Sequence, residues 1–292
     1  PPHTPTTAKS SAASMCIRDR YSNMYLTHHN LNLKPFEESL DPRFFWLSDK
    51  HKEAFACFKH GIQENNALLL LNGDIGTGKS ALINYFLLNN DIDAIVATIA
   101  DPDLSISDFF RLLSKEFKID IDLNTKEDFL IKFECFLQNA YSEGKKALLV
   151  IDEAHRLNQR LIKEICLLSN IERKKVKLIT IFFVRQNEVL DLINDQKNEA
   201  LRKRLTVHYT IEPLTESETQ EYIKYRLKVA GAKTEIFNFE AIHEIFSFSK
   251  GYPRLINIIC DRALLTSYVS EANKADEEII KQCADDLKIL VE

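Results

Sequence analysis

Four short apolar runs and one alternating segment set out the chain. Ala67 to Leu71, Ala94 to Ile99, Ala147 to Ile151 and Leu178 to Val184 contain no charged residue. A strand buried on both faces of a parallel sheet reads this way. Thr206 to Ile211 alternates instead, with Val207, Tyr209 and Ile211 on one side, the pattern of a strand with one solvated face. Helical periods lie between these runs. Ser48 caps a helix from Lys50 to Gln63, in which Ala54, Phe58 and Ile62 recur every fourth residue. Further helices are expected over Ala81 to Leu88, Ser105 to Phe117, from a capping-box opening at Thr125 to Asp128, and over Asn158 to Ser169. Phe129, Phe133, Phe136 and Leu137 form an apolar stripe in the third of these, and core is the simplest use for it. Strands alternating with helices predict an α/β fold, a parallel sheet flanked by helices.

From Pro213 onward the pattern is helical alone. Thr215-Glu216-Ser217-Glu218 opens a helix that Gly231 stops, and Phe239 to Phe248, Pro253 to Val269 and Ala275 to Leu290 supply three more. Residues 24–212 are thus expected to form an α/β nucleotide-binding domain and 213–292 a small all-α lid. Lys34-Pro35-Phe36 and Asp41-Pro42-Arg43-Phe44-Phe45-Trp46 read as an extended, turn-punctuated approach to the first helix, since proline disfavours helix in the residue before it. Trp46 is assigned to packing. Residues 1–23 are rich in Pro, Ser, Thr and Ala without periodicity and are expected to lie outside the fold. Met15 to Arg20 resembles translated sequencing-adapter DNA, and Met24 would then be the natural start. Glu172-Arg173-Lys174-Lys175 is expected to be a solvated charged turn.

The chemistry concentrates where the first strand meets the next helix. The chain has 7 glycines, and Gly73, Gly76 and Gly78 all fall within Gly73-Asp74-Ile75-Gly76-Thr77-Gly78-Lys79-Ser80. This stretch fits the phosphate-loop pattern G-x-x-x-x-G-K-[ST], or Walker A, at every fixed position. Glycines there let successive N–H groups surround an anion, with a helix N-terminus facing the phosphates. Lys79 would reach the β- and γ-phosphates of a nucleoside triphosphate, and the Ser80 hydroxyl would ligate Mg²⁺. A second element, Walker B, follows at the end of the third strand. There Asp152 would hold the Mg²⁺ shell and Glu153 would polarise the attacking water. Both fall at a carboxyl end of the sheet, where such folds bind ligands.

Four further residues follow from placement. Gln186, just after the fourth strand, would sit between the halves of the site and position water. Arg202 and Arg204 precede the last strand. They are either surface charges or a finger reaching a neighbouring subunit's γ-phosphate. Arg254, in the first turn of a helix, opposes the helix dipole, and a bound phosphate would offset that cost.

Composition narrows the choice of partners. A formal net charge of −5 and a pI near 6.0 argue against a strong sequence-independent grip on nucleic acid, although a local basic patch is compatible with them. No run approaches the length of a membrane span. The 6 cysteines are scattered, with no C-x-x-C pair, and read as reduced, mostly buried thiols.

Together these motifs resemble the AAA+ ATPases. The resemblance is closer to the general secretion pathway protein A family and its relatives in mannose-sensitive pilus biogenesis. It rests on Lys34-Pro35-Phe36, Asp41-Pro42-Arg43-Phe44, Leu47-Ser48 with His51-Lys52-Glu53-Ala54, the phosphate loop, Asp152-Glu153-Ala154-His155, and Gly251-Tyr252-Pro253-Arg254-Leu255-Ile256-Asn257. It implies ATP as the nucleotide, Gln186 as sensor 1, Arg254 as sensor 2, Arg204 as the arginine finger with Arg202 second, and a homo-oligomer. It also implies a cytoplasmic, Mg²⁺-dependent ATP hydrolase that assists assembly of a secretion or pilus-type envelope machine, peripheral to the inner membrane through a partner. The family's usual Gly-Gln-Pro-Glu after the fourth strand is Arg185-Gln186-Asn187-Glu188 here. The alternatives carried are a DNA-associated ATPase of the transposition or origin-recognition type, with Lys50, Lys52 and Arg173 to Lys177 touching phosphates, and a slow nucleotide-gated switch.

Overall fold

The computed structural model describes residues 24–37, 41–89, 91–120, 125–184 and 199–288. It forms two compact units. One is Leu47–Glu212 and the other combines the chain before Leu47 with Pro213–Glu292.

The α/β unit opens with helix α1 (Asp49–Gln63), whose N-cap Ser48 accepts from the His51 N–H. Strand β1 (Leu68–Gly73) runs into the phosphate loop and helix α2 (Lys79–Asn89). Strand β2 (Ala94–Ile99), helices α3 (Ile106–Glu116) and α4 (Lys126–Ser142), strand β3 (Lys146–Ile151), helix α5 (Gln159–Leu168), strand β4 (Ile179–Val184) and strand β5 (Leu205–Ile211) follow. The five strands form one parallel sheet in the order β2-β3-β4-β1-β5.

The alternation of side chains across a strand explains the continuous apolar runs. Leu68, Leu70, Ile181 and Phe183 face a core shared with Phe109, Phe129, Phe133 and Leu161 from α3, α4 and α5. Phe182 turns to the other side, where its ring meets Phe58 of α1 at 5.4 Å and Phe86 of α2 at 6.0 Å. Such aromatic pairs add roughly 0.5–1.5 kcal/mol beyond the area they bury. On β5, Thr206, His208 and Thr210 are exposed while Val207 and Tyr209 are half-buried and Ile211 is buried, so the edge strand keeps its sequence alternation.

The charged turn before β4 is more structured than expected. Glu172–Arg173 and Val176–Lys177 pair as an antiparallel hairpin, with Lys174 and Lys175 as its two-residue turn. The sequence hides it, because two-residue hairpin turns are signalled by Asn-Gly or Asp-Gly rather than by two lysines.

The second unit contains α6 (Glu216–Val229), α7 (Phe239–Ser249), α8 (Pro253–Val269) and α9 (Glu277–Lys288). Thr215 and Glu218 close a capping box at the start of α6. Gly231 follows α6 at φ 93°, a left-handed conformation that glycine adopts freely. The leading segment belongs here too, although the sequence groups it with the α/β domain. Arg226 of α6 is the reason. Its side chain is buried and donates from Nε to the Pro35 carbonyl (2.5 Å), from Nη2 to the Glu37 carbonyl (3.1 Å) and from Nη1 to the Tyr222 hydroxyl (2.6 Å). Its guanidinium lies over the rings of Phe44, Tyr222 and Phe36. Tyr222 in turn donates to Asn257 Oδ1 (2.8 Å), which gives the asparagine of the Gly-Tyr-Pro-Arg-Leu-Ile-Asn run a structural use. Trp46 packs edge-on to Tyr222, as its assignment to packing requires. Of the described cysteines, Cys166, Cys260 and Cys283 are buried, Cys57 and Cys135 are exposed, and all are free thiols.

Candidate nucleotide site

The site is built where β1 ends. Gly73, Gly76 and Gly78 all have positive φ (154°, 82° and 95°). At Gly73 a Cβ would lie 2.7 Å from the Ile211 carbonyl oxygen and 3.0 Å from Thr77 Oγ1, so the loop is held against the end of β5 by a contact that only glycine allows. Thr77 is 1% exposed and its hydroxyl donates to the Asp74 carbonyl at 2.8 Å, closing the turn from inside. Ile75 lies on the exposed side of the loop.

Lys79 is the first residue of α2, and its side chain folds back over the loop. Nζ donates to the carbonyls of Gly73 (2.9 Å) and Asp74 (2.7 Å). Burial pushes its pKa down, while the charges of Glu153, Asp152 and Asp74 work in the opposite direction. The lysine is thus a buried cation whose Nζ is held by two loop carbonyls, contacts that phosphate oxygens could replace, while the nearby carboxylates call for a divalent cation to offset their charge against a phosphate. The next residue, Ser80, donates from Oγ to Asp152 Oδ2 at 3.0 Å. This contact joins the two halves of the sequence motif. A hydroxyl and a carboxylate oxygen so placed suit a hard, oxygen-seeking ion such as Mg²⁺, which takes few protein ligands when it arrives with a triphosphate. Among the described residues no group of three or more His, Cys, Asp or Glu side chains could hold a metal, so a purely protein-built metal centre is absent there.

Asp152 Oδ1 accepts from the Glu153 N–H at 2.9 Å. Glu153 itself is left-handed (φ 48°, ψ 38°), a conformation costing a non-glycine residue roughly 1–2 kcal/mol. Outliers of this kind cluster at working sites. Its Oε2 lies 3.2 Å from His155 Nδ1.

The structure therefore brings the phosphate loop together with Asp152 and Glu153. It does not bring Arg204 there. Leu205 pairs with Leu68 at the start of β1, whereas Ile211 pairs with Gly73 at its end. Five residue steps of strand separate the two ends, about 17 Å. Arg204 lies at the far edge of the sheet, with its Nε donating to Asn170 Oδ1 at 3.1 Å. Arg202 ends the short helix Glu199–Arg202 that leads to it. Arg254 is the second residue of α8 in the helical unit, and its side chain is exposed. Gln186 lies outside the described residues.

Sequence reasoning gave no role to two further side chains, one beside the phosphate loop and one after β3. His51 is 4% exposed; its Nδ1 is 2.7 Å from Ser48 Oγ, and its Nε2 lies 3.9 Å from where a Cβ on Gly78 would be. The Leu-Ser-x-x-His spacing was the available signal. Arg156, just after Glu153, pairs with Asp101 at 2.8 Å and lies 3.6 Å from Asp103, tying the end of β3 to the loop after β2. Nothing in the sequence points to that pair.

This sheet order, phosphate loop and strand-end acid pair define an AAA+ phosphate-loop ATPase domain. An AAA-domain family model matches residues 62–193. Within that class the chain is related to the general secretion pathway protein A family. It is 31% identical to "General secretion pathway protein A" of Aeromonas hydrophila over 253 residues, covering 86% of this chain and 46% of that protein. The chain thus spans about half the length of this curated relative. Among solved structures, the ORC2 protein of Aeropyrum pernix superposes with a TM-score of 0.64 at 11% identity, over 87% of this chain and 71% of that one. Cdc6p of Pyrobaculum aerophilum gives 0.64 at 14% identity over 86% and 70%. The RuvB Holliday junction branch migration motor of Thermotoga maritima gives 0.53 at 18% identity over 82% and 67%. At these identities the likeness is one of fold. No helix among the described residues is long and apolar enough to cross a membrane.

Proposed function

We propose that this chain is a Mg²⁺-dependent ATP hydrolase, active as a homo-oligomer, that assists assembly of a secretion or pilus-type envelope machine from the cytoplasmic side of the inner membrane, where a partner holds it. The observation that carries the hydrolase reading is the Ser80–Asp152 contact at 3.0 Å beside a buried Lys79. The envelope role is supported by the likeness to general secretion pathway protein A.

In this reading the loop N–H groups and Lys79 bind the triphosphate, and Lys79 exchanges its two carbonyl contacts for phosphate oxygens. Ser80 and Asp152 would hold magnesium, which supplies charge neutralisation on the β- and γ-phosphates when bound. Glu153 accepts the proton of the attacking water. Gln186 would orient that water, and Arg254 would answer the phosphate charge from the helical unit. Arg204 would act on the nucleotide of a neighbouring copy, a reading supported by its lying about a strand's length from its own loop.

Sharing a site between copies has a kinetic signature. Turnover per protomer of the wild-type protein is expected to rise with protein concentration as copies associate. Arg204→Ala is expected to stay low at every concentration, by the 10³-fold or more typical of a lost arginine finger. Phosphate release measured over a dilution series checks this, and strictly constant turnover per protomer in the wild type would remove the finger. Cell fractionation tests the envelope role. The protein should reach the inner membrane only when envelope-machine components are co-expressed, and identical distribution without them would refute the role.

A further inference from the structure

We infer that the Glu172–Lys177 hairpin is a contact surface for the sugar-phosphate backbone of nucleic acid. The inference starts from an uneconomical choice of residues. Lys174 and Lys175 occupy the two central positions of the hairpin turn, with φ of 52° and 70°. Both are left-handed, as a type I′ turn requires, and Asn-Gly would adopt this turn without the strain that two lysines carry. Backbone strain kept at an exposed position calls for a use of the side chains that sit there.

Charge at this edge of the sheet points to the use. Among the described residues, Glu172 is matched to Lys177 (2.7 Å), and Glu143, next to the Ser142 that Arg173 contacts, to Lys145 (2.8 Å). Arg173 donates to the neutral Ser142 hydroxyl (2.9 Å), and among the described residues neither Lys174 nor Lys175 forms an ion pair. Three consecutive cations therefore project from a short ordered hairpin with no carboxylate paired to them among the described residues.

A polyanion is the matching partner, and the hairpin's surface favours nucleic acid over an acidic protein. Residues 172–175 are all exposed and none is apolar or aromatic, while Val176 is half-buried. Protein interfaces are anchored by buried aromatic and aliphatic groups. Phosphate-backbone contacts need only cations presented at the surface, and they carry no sequence preference. With an overall charge of −5, such binding is weak, and counterion release makes it salt-sensitive. The inference holds whichever process ATP hydrolysis drives.

The test uses the full chain and a fluorescent DNA duplex, with anisotropy read between about 50 and 200 mM salt. Lys174→Asn/Lys175→Gly should raise the melting temperature by relieving the turn, leave ATP turnover unchanged, and lower the salt slope of duplex binding by roughly 2, about 0.9 per lost phosphate contact. Lys174→Arg/Lys175→Arg should keep the wild-type slope. Opposite movement of stability and binding is the signature that a merely structural turn would not give. Wild-type protein that shows no salt-dependent association, or an Asn-Gly variant that binds as wild type does, overturns the inference. So does displacement of the duplex by polyglutamate at equal charge, which would assign the surface to acidic protein.

Discussion

Glu153→Gln is expected to bind magnesium–ATP with wild-type affinity and to hydrolyse it about 10²–10⁴-fold more slowly, the usual contribution of a positioned general base. The glutamine is isosteric, so the left-handed backbone at this position and the Asp152 Oδ1 contact from its own N–H are retained. What is lost is the capacity to accept the water's proton. Lys79→Ala should behave in the opposite way. It removes a cation that is 9% exposed and is hydrogen-bonded to the carbonyls of the loop that would cradle the phosphates. Binding should then fall by roughly tenfold to more than a hundredfold, since a hydrogen bond to a charged group is worth about 1.5–3 kcal/mol and more than one is lost. Calorimetric titration and phosphate release, run on both variants, separate the roles. Full turnover by Glu153→Gln would take the base assignment away.

Gly251→Ala is expected to unfold or severely weaken the helical unit, by more than about 3 kcal/mol, placing it among the largest single-residue effects. Gly251 has φ 79°. A Cβ there would lie 1.8 Å from the Leu214 carbonyl oxygen, 2.8 Å from its carbon and 3.0 Å from its nitrogen. These are backbone atoms, so no rotamer change can clear the clash. Nor can the Leu214 backbone retreat cheaply. Its N–H donates to the Gly251 carbonyl at 2.9 Å and its side chain sits in the helical core. Urea denaturation followed by helical circular dichroism is the measurement. An unchanged midpoint would mean that this turn yields far more than its contacts imply.

How much of this was legible in the sequence depended on the kind of signal. The buried strands announced themselves because both faces are apolar, and the phosphate loop because its backbone permits little besides glycine at Gly73, Gly76 and Gly78. Asp152 and Glu153 were readable because a strand end fixes where they point. The boundary of the units was not. Pro35, Phe36 and Phe44 look like a linker by local pattern, and the residue that captures them, Arg226, lies 191 positions beyond Pro35. On its own helix Arg226 resembles any surface cation. The hairpin at Glu172–Lys177 was hidden for a related reason, since its turn residues break the local rule that would have revealed it. The Arg156 contacts were out of reach because they depend on which loops the sheet order makes neighbours, whereas His51 had a local signal in its spacing from Ser48.

The capture of the leading segment by Arg226 bears on how this protein can be dissected. Excising everything ahead of Leu47 would look harmless on a motif map, because every nucleotide-binding signature lies downstream. It would nonetheless strip a guanidinium of two of its carbonyl acceptors and two of its aromatic covers, leaving an ionised group stranded in oil. A minimal working fragment must therefore keep the stretch that carries Pro35, Phe36, Glu37 and Phe44.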